Sequence, residues 1–192
     1  MKRLNFVCLF YILNLGLSSC SFRHHDHLLA KPINLNLKES KWLIDEPILD
    51  KINIAFESIT TNYYKEILHK RFPNLKSISD LNNISSLKNT VEKNRKVLAF
   101  YKDQTNFDYL ISTRIELATG HDPNLKLLSI KIVVHDLNTK SLIFENEYHS
   151  TKWYISSAKH LNLDKLKGFI DSSIKIAIKS FAKKDNWRTL KT

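Results

Sequence analysis

Alternation of apolar and polar residues in the second half of this 192-residue chain is the feature that most limits its fold. Three alternating runs lie at 107–117, 128–134 and 142–148. Short groups of Gly, Asp, Asn and Pro, the residues typical of turns, separate them. Because strand side chains alternate between two faces, three such runs joined by short turns predict three consecutive antiparallel strands.

The remaining apolar spacings predict helices and two further strands around these three. The predicted elements are a strand at 52–56, a helix with apolar positions from Tyr64 to Phe72, a short strand at 75–81, a helix from Ser85 or Ser86 to about Gln104, and a helix capped by Asn162 with its apolar stripe at 163–181. The order is therefore β-α-β-α-β-β-β-α. It predicts an α/β fold, an α+β sandwich with one mixed sheet of about five strands and helices packed on it.

The amino terminus has the layout of an export signal. Lys2 and Arg3 precede an apolar run over 4–15, and Gly16 begins a stretch of small residues. The run is shorter than the roughly 20 apolar residues that a permanent membrane-spanning helix needs. These residues therefore predict a cleaved signal peptide.

The signal ends in Leu17-Ser18-Ser19-Cys20, which resembles the bacterial lipobox. The resemblance implies cleavage between Ser19 and Cys20, acylation of the Cys20 thiol, and membrane attachment through that lipid. The alternative is an ordinary signal with a cysteine near its end by chance. The predicted organisation is a lipoprotein signal peptide at 1–19, a lipidated tether at 20–50 and a single α/β domain at 51–192.

The charge balance argues against a nucleic-acid partner. The 30 Lys and Arg residues exceed the 19 Asp and Glu residues and give a net charge of +11. They are spread along the chain rather than interleaved with aromatic residues, as a nucleic-acid surface would require. Solubility explains the excess, with attraction to anionic lipid or acidic envelope polymers as a further contribution.

Two segments together resemble a recurrent unit of envelope lipoproteins. They are FDYLISTRIEL at 107–117 and SIKIVVHDLNTKSLIFENEY at 129–148. The unit occurs in penicillin-binding-protein activator lipoproteins, curli-secretion-type lipoproteins and auxiliary lipoproteins of ABC-type transporters. The sequence departs from this pattern at Lys140, where Gly is usual, and at Phe144, where Trp is common.

A second resemblance is to the lipopolysaccharide-assembly lipoprotein, which shares the start Cys20-Ser21-Phe22. Both resemblances imply a non-enzymatic accessory or assembly factor that binds another envelope protein or complex, with lipid or lipopolysaccharide handling as the alternative. In enterobacterial-type lipoproteins an Asp after the cysteine favours retention in the inner membrane. Ser21 in that position therefore implies the periplasmic face of the outer membrane.

Catalytic and cofactor signatures are sparse. After the predicted signal the glycines are Gly120 and Gly168, too few for a G-x-S-x-G elbow or a phosphate-binding loop. The His24-His25-Asp26-His27 cluster offers metal-ligand chemistry, but adjacent residues of a flexible tether converge on one ion only at an entropic cost. We therefore expect no cofactor and no metal site. An envelope hydrolase is the least favoured alternative.

One further acid–base set is conceivable. His135 and Asp136 end one predicted strand, while Asp108 and Glu116 lie on its neighbour. The hairpin pattern around them favours outward-facing strand residues and turn-formers instead.

Aromatic residues in the predicted tether, loop and tail are the candidates for contact with a partner, because aromatic side chains dominate binding hot spots. They are Trp42, Trp153, Tyr154 and Trp187. Packing at the edges of the core is the alternative role.

Overall fold

The computed structural model describes residues 23–25, 35–52, 54–81, 91–119, 125–155 and 163–181, without the side chains of 23–25, 54–55, 118–119, 125–126, 151–155 and 181. The strands are β1 (Arg23–His25), β2 (Trp42–Ile44), β3 (Ile48–Asp50), β4 (Leu75–Ser77), β5 (Tyr109–Thr119), β6 (Leu125–Asp136) and β7 (Ser141–Ile155). The helices are α1 (Ile54–Arg71), α2 (Arg95–Gln104) and α3 (Leu163–Phe181), with a 3₁₀ turn at Ile78–Asp80.

All seven strands belong to one mixed sheet. Its order is β1-β7-β6-β5-β2-β4, and β3 also pairs with β5. The long strands β5, β6 and β7 form the antiparallel meander predicted from the alternation. Strands β2, β3 and β4 join it by parallel pairing. The predicted fold class, a mixed sheet with helices packed on it, is confirmed.

Helices α1 and α3 cover the first face of the sheet. Tyr64 from α1 and Ile174 from α3 lie in one buried cluster with Ile111 and Ile132 of the sheet. Burial of such side chains stabilises the fold by about 1.5–3 kcal/mol each. The α3 stripe is buried as its spacing predicts.

The second face of the sheet has a smaller core under α2. This cluster contains Leu98 and Tyr101 of α2, Leu110 of β5 and Leu137 of the turn between β6 and β7. Asn94 caps α2, because its side chain accepts a hydrogen bond from the Val97 amide at 3.0 Å. Helix α2 is shorter at its start than predicted, since residues 91–94 are not helical.

Strands β2 and β3 behave as one strand with an interruption. Trp42 pairs with Tyr109 and Ile48 with Arg114, so the offset along β5 changes by one residue between the two strands. The intervening Asp45 still donates its amide to the Ile111 carbonyl at 2.9 Å. The extra residue forms a bulge-like irregularity that redirects the Asp45 side chain.

The edge strand β4 has its outward amides occupied. The Trp42 amide donates to the Asn74 carbonyl at 2.9 Å, which places the Leu75 and Ser77 amides on the outer side by alternation. The Leu75 amide donates to the Phe72 carbonyl at 3.2 Å. The Ser77 amide donates to Asp80 Oδ2 at 3.3 Å. Local bonds therefore take both donors that a foreign strand would need.

Two predictions about the elements are wrong. The strand expected at 52–56 is not formed, because α1 begins at Ile54. Phe56, Thr60 and Tyr63 are spaced as on one face of a helix, so this part of the sequence fits a helix as well as a strand. Packing on the sheet decides between the two. The loop expected around Trp153 and Tyr154 is instead the last part of β7.

Much of the predicted tether at 20–50 also belongs to the fold. Leu35 and Leu37 are buried in the first-face core. β1, β2 and β3 all pair within the sheet. Most residues of this segment are polar, so its few buried apolar residues form no pattern that predicts a strand or a helix. None of the helices in the described ranges has the length and apolarity to cross a membrane.

Candidate functional site: the charged part of the second face

Beyond α2, the second face of the sheet carries charged residues instead of a core. The polar face, as we call it, consists of Arg114 and Glu116 on β5, Ser129 and Lys131 on β6, and Glu145, Glu147 and His149 on β7. These positions alternate with the apolar residues that point into the first-face core. All but Ser129 are partly exposed, so the face combines ordered charges with access from outside.

Lys131 is the centre of this face. Its Nζ lies 2.6 Å from Glu92 Oε1 and 2.5 Å from Glu145 Oε1. Partial burial lowers the pKa of Lys131, but hydrogen bonds to Glu145 and Glu92 outweigh it and raise the pKa above its usual value. The Lys131 hydrogen bond in turn lowers the pKa of Glu92. Lys131 and Glu92 therefore remain charged at neutral pH, and the contacts with Glu92 and Glu145 hold the Lys131 side chain in position.

Further polar side-chain contacts lie on β7 and β5, the two strands that flank β6. The Ser129 hydroxyl donates to Glu147 Oε1 at 2.6 Å. Glu147 also lies 3.7 Å from His149 Nε2. On β5, Arg114 Nε lies 3.3 Å from Asp50 Oδ2 of β3. Both signs of charge are thus distributed over the face, which suits recognition of a polar protein surface rather than of a polyanion.

A buried ion pair lies next to this face. Lys93 Nζ is 2.8 Å from Asp45 Oδ2, and the two side chains are only 2% and 3% exposed. Asp45 reaches the pair because it occupies the interruption between β2 and β3. Sequence reasoning missed this pair, since the residues are 48 positions apart and neither lies in a recognisable motif.

His135 lies beside the ion pair. Its Nε2 accepts a hydrogen bond from the Lys93 amide at 3.3 Å, so the proton of the neutral ring is assigned to Nδ1. Burial and then the Lys93 charge lower the pKa of His135 to about 4. The imidazole is therefore neutral at physiological pH and acts as a structural acceptor.

The conceivable acid–base set is not assembled. Asp136 accepts the amides of Asn138 and Thr139 at 2.8 and 3.1 Å and thereby stabilises the hairpin turn. Asp108 accepts the Lys41 amide at 2.9 Å. His135 instead contacts Lys93. Asp136 is a turn-former, as the hairpin pattern favours. His135 is 2% exposed, so its prediction as an outward-facing strand residue is wrong.

Metal-binding geometry does not occur in the described ranges either. No group of three or more His, Cys, Asp or Glu residues there could hold an ion. His24 and His25 are placed by their backbone in β1. Asp26 and His27 lie outside the described residues.

Two cavities bear on ligand binding. The apolar one lies between α1, α3 and the sheet, is lined by residues such as Tyr64, Ile132 and Ile178, and has about 10 Å³. That is roughly the volume that one water needs, so it cannot hold an acyl chain. An open cleft of about 450 Å³ lies beside β4, with Lys41, Lys76 and Phe107 in its walls.

The predicted site residues have different outcomes. Trp42 is fully buried. Its ring packs against Phe72 and Tyr109 with centroids 4.7 and 4.8 Å apart. Its prediction as an exposed contact is wrong, because the β2 strand carries it into the core. Trp153 and Tyr154 are placed by their backbone on β7, opposite Leu127 and Lys126. Cys20, Ser19 and Trp187 lie outside the described residues.

No protein-family model matches the chain, and no curated protein matches it. Solved structures do resemble it. A point variant of the PelC dodecamer from Paraburkholderia phytofirmans is 10% identical, with a TM-score of 0.48 over 86% of this chain and 99% of that chain. Lipoprotein GNA1162 from Neisseria meningitidis is 8% identical, with a TM-score of 0.45 over 73% of this chain and 99% of that chain.

The C-terminal domain of LpoB from Salmonella enterica is also among the similar structures. It is 13% identical, with a TM-score of 0.42 over 64% of this chain and 88% of that chain. At such identities no function is transferred from these structures to the chain.

Proposed function

We propose that this chain is a lipid-anchored bacterial envelope protein that binds another envelope protein as a non-enzymatic accessory or assembly factor. The observation that carries the proposal is Leu17-Ser18-Ser19-Cys20 in register behind a charged start and a short apolar run. The proposed location is the periplasmic face of the outer membrane, because Ser21 rather than Asp follows the cysteine.

The geometry of the polar face supports binding over catalysis. The Lys131 amine is held between two carboxylates, and His135 is a neutral acceptor with a depressed pKa. Neither group has the free, poised proton that acid–base catalysis uses. Ordered and partly exposed charges of both signs are what a specific polar interface requires.

The lipid-handling alternative is less well supported. An acyl chain needs an apolar cavity of several hundred cubic ångströms. The apolar cavity between α1, α3 and the sheet has about 10 Å³. The open cleft beside β4, at about 450 Å³, is large enough, but Glu39, Lys41 and Lys76 are among the residues that line it. Neither of these two spaces is an apolar cavity of acyl-chain size, which favours a protein partner over a bound lipid.

Acyl labelling tests the anchor. We expect the wild-type protein to incorporate radioactive fatty acid and its mature form to begin at Cys20. We expect Cys20→Ser to incorporate none, even if its uncleaved signal keeps it in the membrane. A wild-type protein without label, whose mature form begins elsewhere, would refute the lipoprotein assignment.

Site-specific crosslinking tests the binding surface. A photoreactive residue at Glu147, whose side chain is 39% exposed on the polar face, should yield adducts with an envelope protein in intact cells. The matched control is Glu66 on the outer side of α1, which is 56% exposed. Adducts from Glu66 but not from Glu147 would place the interface elsewhere.

A further inference from the structure

Strand β1 fixes the start of the mature chain to the sheet. Arg23 lies opposite His149, and His25 lies opposite Glu147. Two residues, Ser21 and Phe22, separate Arg23 from Cys20. At about 3.6 Å per residue, the Cα atoms of Cys20 and Arg23 are at most roughly 11 Å apart. The attachment point is therefore close to the sheet.

The register also decides which end of the sheet is close to the proposed attachment point. Because β1 and β7 are antiparallel, Arg23 is the residue of β1 nearest to the part of β7 beyond His149. That part of β7 pairs with the start of β6, where Leu125 lies opposite Ile155. We call the strand segments at 23–25, 125–127 and 150–155 the anchor end of the sheet.

The residue types of the anchor end suit a phospholipid surface. Arg23, Lys126 and Lys152 supply positive charge, and these segments contain no Asp or Glu. Trp153 and Tyr154 belong to the two residue types that concentrate at membrane–water interfaces. Basic residues next to such aromatic residues favour anionic head groups.

The opposite end of the same strands is mixed in charge, because Lys140 follows Asp136 in the β6–β7 turn. The β6–β7 turn carries Asp136, and Asp108 lies beside it because the Leu137 amide donates to the Asp108 carbonyl at 2.8 Å. From Ser141 to Lys152 the strand rises by roughly 35 Å, at about 3.3 Å per residue. The β6–β7 turn thus lies at the end of these strands away from Arg23.

We infer that the anchor end rests directly on the head groups of the membrane that holds the Cys20 lipid, with the β6–β7 turn directed away from it. The inference depends on the proposed lipidation of Cys20. A tether of thirty extended residues would let the domain reach roughly 100 Å from the membrane. In the inferred arrangement the domain instead lies on the bilayer in one orientation.

Depth-dependent fluorescence quenching tests this orientation. Full-length lipidated protein would be reconstituted into vesicles of phosphatidylethanolamine and phosphatidylglycerol that contain head-group-level nitroxide lipids. Lys152→Cys and Asn138→Cys each provide one labelling thiol, since the Cys20 thiol carries lipid. Lys152 lies in the irregularity between the Ser129–His149 and Leu127–Trp153 pairs, so a label there leaves the ladder intact.

We expect several-fold stronger quenching at Lys152 than at Asn138. Equal quenching at the two positions, or none at Lys152, would overturn the inference. Mass spectrometry of the same samples reports the acyl groups on Cys20. Absence of acyl groups refutes the proposed function, whereas acylated protein without the quenching difference refutes only the seating.

Two further variants isolate the role of β1. Ten Gly and Ser residues inserted between Phe22 and Arg23 should reduce quenching at Lys152 without lowering the melting temperature, because they lengthen only the link to the lipid. The pair Arg23→Cys and His149→Cys should form a disulfide and retain the quenching, since directly opposite residues have Cβ atoms about 5 Å apart. An insertion that leaves Lys152 quenched, or a pair that stays reduced under oxidising conditions, would contradict the seating through β1.

Discussion

Lys93 and Asp45 form a buried ion pair at 2.8 Å that ties the segment before α2 to the interruption between β2 and β3. Desolvation makes such a pair costly to form, and removal of one partner leaves an uncompensated charge in the interior. The pair therefore links parts of the chain 48 residues apart in sequence and makes the position of each depend on the other.

Lys93→Met is expected to lower the free energy of unfolding by about 3–5 kcal/mol, because Asp45 would remain buried without its cation. The double variant Lys93→Met with Asp45→Leu should recover most of that loss. Urea denaturation of the chain without residues 1–19 measures both. As a control, Lys70→Met breaks the exposed Lys70–Glu66 pair and should leave the free energy of unfolding nearly unchanged, because solvent screens such a pair. If Lys93→Met and Lys70→Met lower the free energy of unfolding by similar amounts, the Lys93–Asp45 pair is not shielded from solvent.

Stability should depend on pH through His135. Its folded-state pKa of about 4 lies below the usual value of 6.5, so the unfolded chain binds the proton more tightly. The stabilisation is complete above pH 6.5 and is lost as the pH falls toward 4, by up to about 3 kcal/mol. Lys93 and Glu92 are the charged groups that act on it, and His135→Gln should flatten this part of the profile. A His135→Gln profile as steep as that of the wild type would assign the dependence to other groups.

Ile174→Asp should unfold the domain. Ile174 is 1% exposed within the first-face core, and an unpaired carboxylate there costs several kcal/mol, on the order of the whole stability of a small domain. Lys175→Asp introduces the same side chain one position along, on the exposed side of α3, and should change the melting temperature little. Circular dichroism with thermal melting compares them, and equal melting temperatures would show that the α3 stripe is not buried.

Lys140→Gly should stabilise the β6–β7 hairpin. Lys140 has a φ of 54°, in the left-handed region that costs a residue with a Cβ about 1 kcal/mol or more. Gly removes this cost and loses some backbone entropy, so the expected gain is about 0.5–1 kcal/mol. Lys140→Ala keeps the Cβ and should give no gain. If Ala stabilises as much as Gly, the Lys side chain rather than the backbone is the source of the effect.

The meander could be predicted from the sequence because each of its strands is long enough to show alternation. The same reasoning failed for β2, whose residues Trp42, Leu43 and Ile44 are all fully buried. A three-residue strand buried on both faces has no polar face to alternate with. It therefore resembled the apolar end of a tether.

The charged parts of the site were beyond sequence reasoning for a different reason. Glu92, Lys131 and Glu145 meet only because β6 and β7 pair and the segment before α2 crosses over them. No local spacing encodes that meeting. By contrast, the unusual Lys140 was visible in the sequence as a departure from Gly, and its positive φ explains why Gly is usual there.

The occupied amides of β4 limit how this protein can associate with itself. A sheet grows into a fibre only if both of its edges accept new strands, since each added copy must offer an edge to the next. Leu75 and Ser77 already donate within their own chain, to Phe72 and Asp80. Strand addition at β4 would first have to break these bonds. Edge-to-edge pairing from the other side could then join two copies but would not propagate, so the occupied amides of β4 protect the protein from polymerising.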